Sequence, residues 1–300
     1  MKPKQLKKLL LSEIKLVSEN VNEYCFSEGK DFTRKRKLSF ETVIKTLMGM
    51  ESKSLSNELI TAFDTEPEMP STSAFVQQRY KIKPEAFKAV FDGFTSRLIN
   101  NTSTELRIFA IDGSDIQIAT NPNDATSYFP GTNGQKPYNL LHLNALYDLN
   151  NHIYTDAIIQ GGMDKNEHIA LQEMVDNSDI LKALVIADRG YESFNSMAHI
   201  QEKGWFFLIR VKDGINGIKN GLDLPATDCF DADICLKLTR KQTNEVKELL
   251  KDKNHYRFIS ATQPFDYLPL KNKKSDPTVF YELNNCASHS RYFSLQIKSQ

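Results

Sequence analysis

The sequence predicts a mixed α/β protein led by an all-helical segment, and three observations predict it. Up to about residue 103 apolar residues recur at steps of three and four. From Glu105 they gather into short runs of strand length, and after Asn166 such runs alternate with helical stretches. A chain of 300 residues, at about 150 per domain, suits roughly two domains.

In order, Leu6, Leu9, Leu10, Ile14, Val17, Val21 and Tyr24 mark one amphipathic helix over 4–24. Ser39 is placed to cap a helix with Val43, Ile44, Leu47 and Met48 inward. Ser54 or Ser56 can cap the next and Ser73 one over 74–80, and Pro84 suits the first turn of 85–98. Leu106–Ile111 is a short apolar strand ending in Asp112-Gly113-Ser114, extendable through Ile116 and Ile118 by alternation. The runs 138–147 and 152–159, joined at Asp148-Leu149-Asn150-Asn151, read as a hairpin. Asn166 can cap a helix carrying Ile169, Leu171, Met174 and Val175. The buried strand Ala183–Ala187 ends in Asp188-Arg189-Gly190, a helix follows over 193–202, and a last buried strand runs from Trp205 to Val211. Further on, 234–238, 256–260 and 279–283 are strand-like, and 243–252 is helix-like.

Composition narrows the function classes. Apolar residues are 40% and charged residues 25%, an ordinary globular balance. Cys25, Cys229, Cys235 and Cys286 lack CxxC spacing, so neither a zinc knuckle nor a disulfide framework is expected, and a reducing cytoplasm is the simplest home. Neither a signal peptide nor a membrane span is expected, the longest apolar runs being only about five residues. The net charge is zero, yet residues 111–200 hold 12 acidic and 4 basic side chains, and both flanks are basic. An acidic centre between basic flanks suits a metal-dependent enzyme acting on a polyanion, although chance clustering gives the same totals.

The element order brings two carboxylates together. A hairpin followed by a helical crossover returns the chain parallel to the first strand, and open α/β sheets place their sites at the carboxyl ends of such neighbouring strands. Asp112 and Asp188 both sit at strand ends. Two adjacent carboxylates either share a proton or hold a hard cation, for which oxygen ligands favour Mg²⁺ or Mn²⁺. Each Asp-Gly phrase alone is also an ordinary turn. Arg34, Lys35, Arg36 and Lys37 form the densest basic run of the helical segment, a solvated surface unless the remainder of the chain handles nucleic acid. Arg189 and Lys212 stand close in sequence to the aspartate strands, open equally to phosphate contact or to ion pairs with the acidic block. Asp115 faces away from Asp112 on a continuing strand. His142 and His168 read as structural histidines, Trp205 as core, and Gly131–Lys136 as a turn without P-loop spacing.

Three phrases carry a family resemblance: Ala110-Ile111-Asp112-Gly113-Ser114; Leu143-Asn144-Ala145-Leu146-Tyr147-Asp148 with Tyr154-Thr155-Asp156-Ala157; and Ile186-Ala187-Asp188-Arg189-Gly190-Tyr191-Glu192-Ser193. Together they closely resemble the insertion-sequence family four DDE transposases, over residues 1–284. The resemblance implies a helical DNA-binding region over 1–103, a ribonuclease-H-like catalytic core over 104–212 and a β-rich insertion over 213–284. It further implies Asp112 and Asp188 as the catalytic, metal-binding aspartates, with Mg²⁺ or Mn²⁺ as cofactor. The implied partner is double-stranded DNA at transposon terminal inverted repeats, with a homodimer left open, in a bacterial cytoplasm and on the nucleoid when DNA-bound.

One part of the family pattern is missing. The family's third acid lies in a helix marked Tyr-x2-Arg-x3-Glu-x6-Lys. Three residues past Tyr191, Tyr256, Tyr267, Tyr281 and Tyr292 stand Phe194, Ile259, Leu270, Asn284 and Leu295, and none is arginine. The chain therefore reads as truncated or frameshifted near Asn285, with an aberrant tail over 285–300 and an incomplete core. Glu192, Glu245 and Glu248 are the acids to consider as substitutes, the last two reading as solvated among lysines. Two functions stand side by side: a cut-and-paste DNA transposase left catalytically incomplete, and a non-catalytic product that binds transposon ends or full-length subunits as an inhibitor.

Overall fold

The computed structural model describes residues 2–34, 36–64, 69–99, 106–132, 134–212, 214–215, 217–225, 234–270 and 280–284. The chain divides into two compact units, residues 1–100 and 101–300.

The first unit is helical: α1 (Pro3–Glu19), α2 (Phe40–Met48), α3 (Leu55–Phe63), α4 (Thr72–Arg79) and α5 (Glu85–Leu98). Serine hydroxyls start three of them. Ser39 accepts from the Thr42 amide, Ser54 from Asn57 and Ser71 from Ala74. The cap of α4 is thus Ser71, two residues before the predicted Ser73. Ile14, Val17, Val43, Ile44, Leu59, Phe75 and Val90 fill the core, whereas Met48, predicted to face inward, is exposed. α1 stops at Glu19, short of the predicted Tyr24. The backbone of 24–26 instead pairs with 81–83, Phe26 N–H to Lys81 O at 3.0 Å and Lys83 N–H to Tyr24 O at 2.9 Å. Between α1 and α5 the buried Glu13 is paired with Arg97 at 2.8 Å.

The second unit begins with β1 (Arg107–Ile118), β2 (Tyr128–Phe129), β3 (Tyr138–Asp148) and β4 (Ile153–Gly161). It continues with α6 (Glu167–Asp176), β5 (Ala183–Ala187), a single 3-10 turn (Arg189–Tyr191), α7 (Phe194–Glu202) and β6 (Phe206–Ile209). In the sheet β1 has β3 on one side, antiparallel, and β5 on the other, parallel. β6 continues parallel beyond β5, while β4 and β2 both pair with β3, antiparallel. The hairpin and the parallel return predicted from the element order are therefore present. β2 was not predicted; two residues carry no readable alternation.

Asp148 fixes the hairpin turn. Fully buried, its carboxylate accepts the Asn150 and Asn151 amides at 2.8 and 3.0 Å, the Asn151 side chain at 2.7 Å and the Arg107 guanidinium at 2.9 Å. One side chain thus ties the β3–β4 turn to the start of β1.

The core lies between the sheet and the helices α6 and α7. Phe109 and Ile111 of β1, Leu171, Met174 and Val175 of α6, Val185 of β5 and Met197 and Ile200 of α7 are all buried there. Trp205 is buried against Phe109 as predicted, its indole N–H donating to Ile180 O at 3.0 Å. Ile169, predicted inward, is 54% exposed. The inward stripe of α6 is Ala170, Leu171, Met174 and Val175, and position 169 falls outside it.

A second, three-stranded sheet shares this core: β7 (Cys235–Thr239), β8 (Tyr256–Phe258) and β9 (Tyr281–Asn284), with α8 (Asn244–Leu249) between β7 and β8. Leu236, Leu238, Ile259 and Leu283 bury on it. It is tied to α7 through Asn284 N–H to Gln201 Oε1 and Tyr281 O–H to Glu202 Oε1, both 2.8 Å. The tail 285–300 lies outside the described residues.

Candidate active site on β1 and after β5

β1 and β5 run parallel with Ala110 level with Ile186. Asp112 lies two residues past Ala110, still within β1, and Asp188 is the first residue after β5, so the two stand on neighbouring parallel runs whose backbones lie about 4.8 Å apart where they pair. Both side chains are exposed. β5 is wholly apolar, so Asp188 is the first residue able to leave the core; its Oδ1 accepts the Gly190 amide at 2.7 Å and caps the 3-10 turn. Asp112 Oδ1 accepts the Gly113 amide at 2.9 Å. Each carboxylate has a second oxygen with no hydrogen bond among the described residues.

A third carboxylate stands at this place, and the sequence pattern did not single it out. Glu167 opens α6, whose N-terminus Asn166 caps by accepting from Ile169 at 3.1 Å. A Cβ at Gly190 would lie 2.9 Å from Asp188 Oδ1 and 3.4 Å from Glu167 Oε2. One at Gly113 would lie 2.8 Å from Glu167 Oε1 and 2.6 Å from His142 Nε2. Glycine at both positions is what leaves this space open. In the sequence Glu167 has the look of any acidic residue in a first helical turn, which the helix dipole favours.

Two buried polar groups border the carboxylates. His142, 2% exposed, holds Asp115 through Nδ1 at 2.6 Å, and Asp115 is held in turn by Lys165 at 3.2 Å. The His142 hydrogen bond above all, and Lys165 after it, keep the Asp115 carboxyl below its ordinary pKa. His142 Nε2 lies 3.2 Å from Glu167 Oε1 yet makes no aligned hydrogen bond. Tyr191, 1% exposed, has a hydroxyl with no partner. Burial pushes its phenol well above the ordinary value, and the charges of Glu167, Asp112 and Asp188 push it further.

Of the predicted cationic residues, Arg189 is exposed on the turn directly after Asp188. Lys212 is exposed beyond β6, and its amide donates to Glu192 Oε2 at 2.7 Å. Burial lowers the pKa of His168, the neighbour of Glu167, and the Lys212 charge lowers it further. Arg34, Arg36 and Lys37 are exposed in the loop before α2, within the other unit; Lys35 lies outside the described residues. Among the substitute acids, Glu192 is committed to the Lys212 and Ile218 amides. Glu245 and Glu248 are exposed on α8, Glu248 paired with Lys251.

Among the described residues no three His, Cys, Asp or Glu side chains converge closely enough to form a ready-made ion site. The donor set is nonetheless of the right chemistry for a hard divalent cation, being carboxylate oxygens around a space that only glycine leaves free. No helix among the described residues is long and apolar enough to cross a membrane.

An antiparallel hairpin leading into parallel strands, with helices α6 and α7 packed on the sheet, is consistent with a ribonuclease-H-like transposase domain. The chain belongs to the transposase DDE-domain family, whose model matches residues 103–285, more than half of its length. It is on that ground a transposase, a protein of DNA transposition and recombination. Comparison with curated proteins finds no match.

Proposed function

We propose that this chain binds the terminal repeats of an insertion sequence of family four and carries out phosphoryl transfer there through Asp112 and Asp188. The observation that carries this reading is the placement of Asp112 on β1 and of Asp188 directly after its parallel neighbour β5, in a chain of the DDE family. Asp112 and Asp188 would hold the cation with their free oxygens, while Arg189 and Lys212 at the rim would bind the phosphodiester. When bound, Mg²⁺ or Mn²⁺ supplies Lewis-acid polarisation of the phosphate and a more acidic water. Residues 1–103 supply most of the affinity for duplex DNA through exposed cations such as Arg34, Arg36 and Lys37, and residues 213–284 form the family's β-rich insertion.

A second reading, end binding without cleavage, is favoured by the lack, among the described residues, of three acidic, histidine or cysteine side chains converged closely enough to hold an ion. Duplexes spanning the two borders of the element, incubated with the chain and Mn²⁺, separate the two. Metal-dependent cleavage abolished by Asp112→Asn and by Asp188→Asn is the expected result of the first reading. A duplex that is bound and never cut selects the second, and a duplex that is neither bound nor cut removes both.

A further inference from the structure

We propose that Glu167 is the third carboxylate of the Asp112–Asp188 site and shares its divalent cation. This inference rests on the proposed function and deepens it.

Position comes first. Asp188 Oδ1 and Glu167 Oε2 both lie within 3.4 Å of one point, the place a Gly190 side chain would begin, so the two carboxylates border the same small space. On its other side Glu167 Oε1 reaches the equivalent point at Gly113, the residue after Asp112. The Glu167 side chain therefore spans from Gly113 in β1 to the turn after β5. Facing acids in such a space repel one another unless a cation or a proton lies between them.

The buried groups around this space point the same way. Tyr191, 1% exposed, carries a hydroxyl without a hydrogen-bond partner, and His142, 2% exposed, directs Nε2 at Glu167 Oε1 from 3.2 Å without an aligned hydrogen bond. Buried polar groups are nearly always satisfied, so two orphans beside three carboxylates call for a further occupant, and water on a bound cation supplies O–H donors from which the Tyr191 hydroxyl oxygen and His142 Nε2 can accept. The competing acids are committed elsewhere, Glu192 to two backbone amides and Glu248 to Lys251.

The test uses the full chain with Mn²⁺ alone as probe, the free ion being counted by electron paramagnetic resonance and the melting temperature without metal verifying each fold. Glu167→Gln, which keeps the shape and removes the charge, weakens Mn²⁺ binding about tenfold or more, the low end of what partners around a metal site cost. Gly190→Ala removes no charge but pushes a methyl against Asp188 Oδ1, and it weakens binding likewise; it decides the matter if Glu167→Gln fails to fold. Glu173→Gln, exposed on the same helix, leaves binding unchanged. Wild-type binding in Glu167→Gln, with binding lost in Asp188→Asn, overturns the role of Glu167 and spares the proposed function. Wild-type binding in both Asp112→Asn and Asp188→Asn overturns the two together.

Discussion

At His199 two carboxylates converge on a single imidazole. Nδ1 lies 2.9 Å from Asp176 Oδ2 and Nε2 2.9 Å from Asp266 Oδ2, and only the protonated ring can donate to both at once. Burial by itself lowers the pKa of this histidine, but the bonds to Asp176 and Asp266 outweigh it and leave the value raised. A raised folded value means that the charged form stabilises the fold. That contribution is complete below the unfolded value, about 6.5, and is lost as pH rises through the higher folded value. The melting temperature should therefore fall through the neutral and mildly alkaline range, and His199→Gln should flatten that fall; a wild-type profile in the variant removes the link. The same scale shows why Glu167 stayed hidden. Asp112 and Asp188 each end an apolar run and so announce themselves, whereas Glu167 follows a capping Asn166 and satisfies every rule for a helix start. Its second role exists only because α6 begins beside Gly113 and Gly190, a coincidence of tertiary structure that no spacing in the chain records.

Elements whose determinants are local were legible, and those set by distant partners were not. β5 is an unbroken five-residue apolar strand, and its bounds Ala183–Ala187 follow from the sequence. The end of α1 does not, because residues 24–26 continue the helical period yet are claimed by residues 81–83. The β3–β4 turn was legible as a turn, while the buried Arg107 that pairs with Asp148 needed the sheet to bring it there. Asp148→Ala breaks the buried pair with Arg107 and leaves two turn amides without their acceptor, and should cost about 3–5 kcal/mol in urea unfolding. A loss under about 1 kcal/mol, the worth of an exposed pair, would mean that the bridge is not the anchor of the hairpin. The loop before α2 gives an independent prediction. Each phosphate neutralised adds about 0.9 to the slope of log K against log salt, so replacing Arg34, Arg36 and Lys37 by Ala should flatten the slope for duplex DNA by up to about 2.7. An unchanged slope would return the loop to ordinary solvated surface.

Across the whole molecule the charge partition divides the tasks. The net charge is zero, but 12 of the acidic side chains lie within residues 111–200 together with only 4 basic ones, and both aspartates and Glu167 are among them. On the proposed reading, affinity for DNA comes mainly from the basic flanks, since carboxylates such as Asp112 and Asp188 repel phosphate until a cation covers them. The double substitution Asp112→Asn with Asp188→Asn removes two negative charges and takes the formal net charge from zero to plus two. At about 0.1 M salt a charge acts over about 10 Å, so phosphate within that reach of the site should be repelled less. Fluorescence anisotropy with a labelled element-end duplex should therefore give an affinity equal to or somewhat tighter than that of the wild type in metal-free buffer, while Mn²⁺ binding is lost. An affinity weakened tenfold would place the aspartates in the DNA-binding surface itself and end the division of labour between acidic centre and basic flanks.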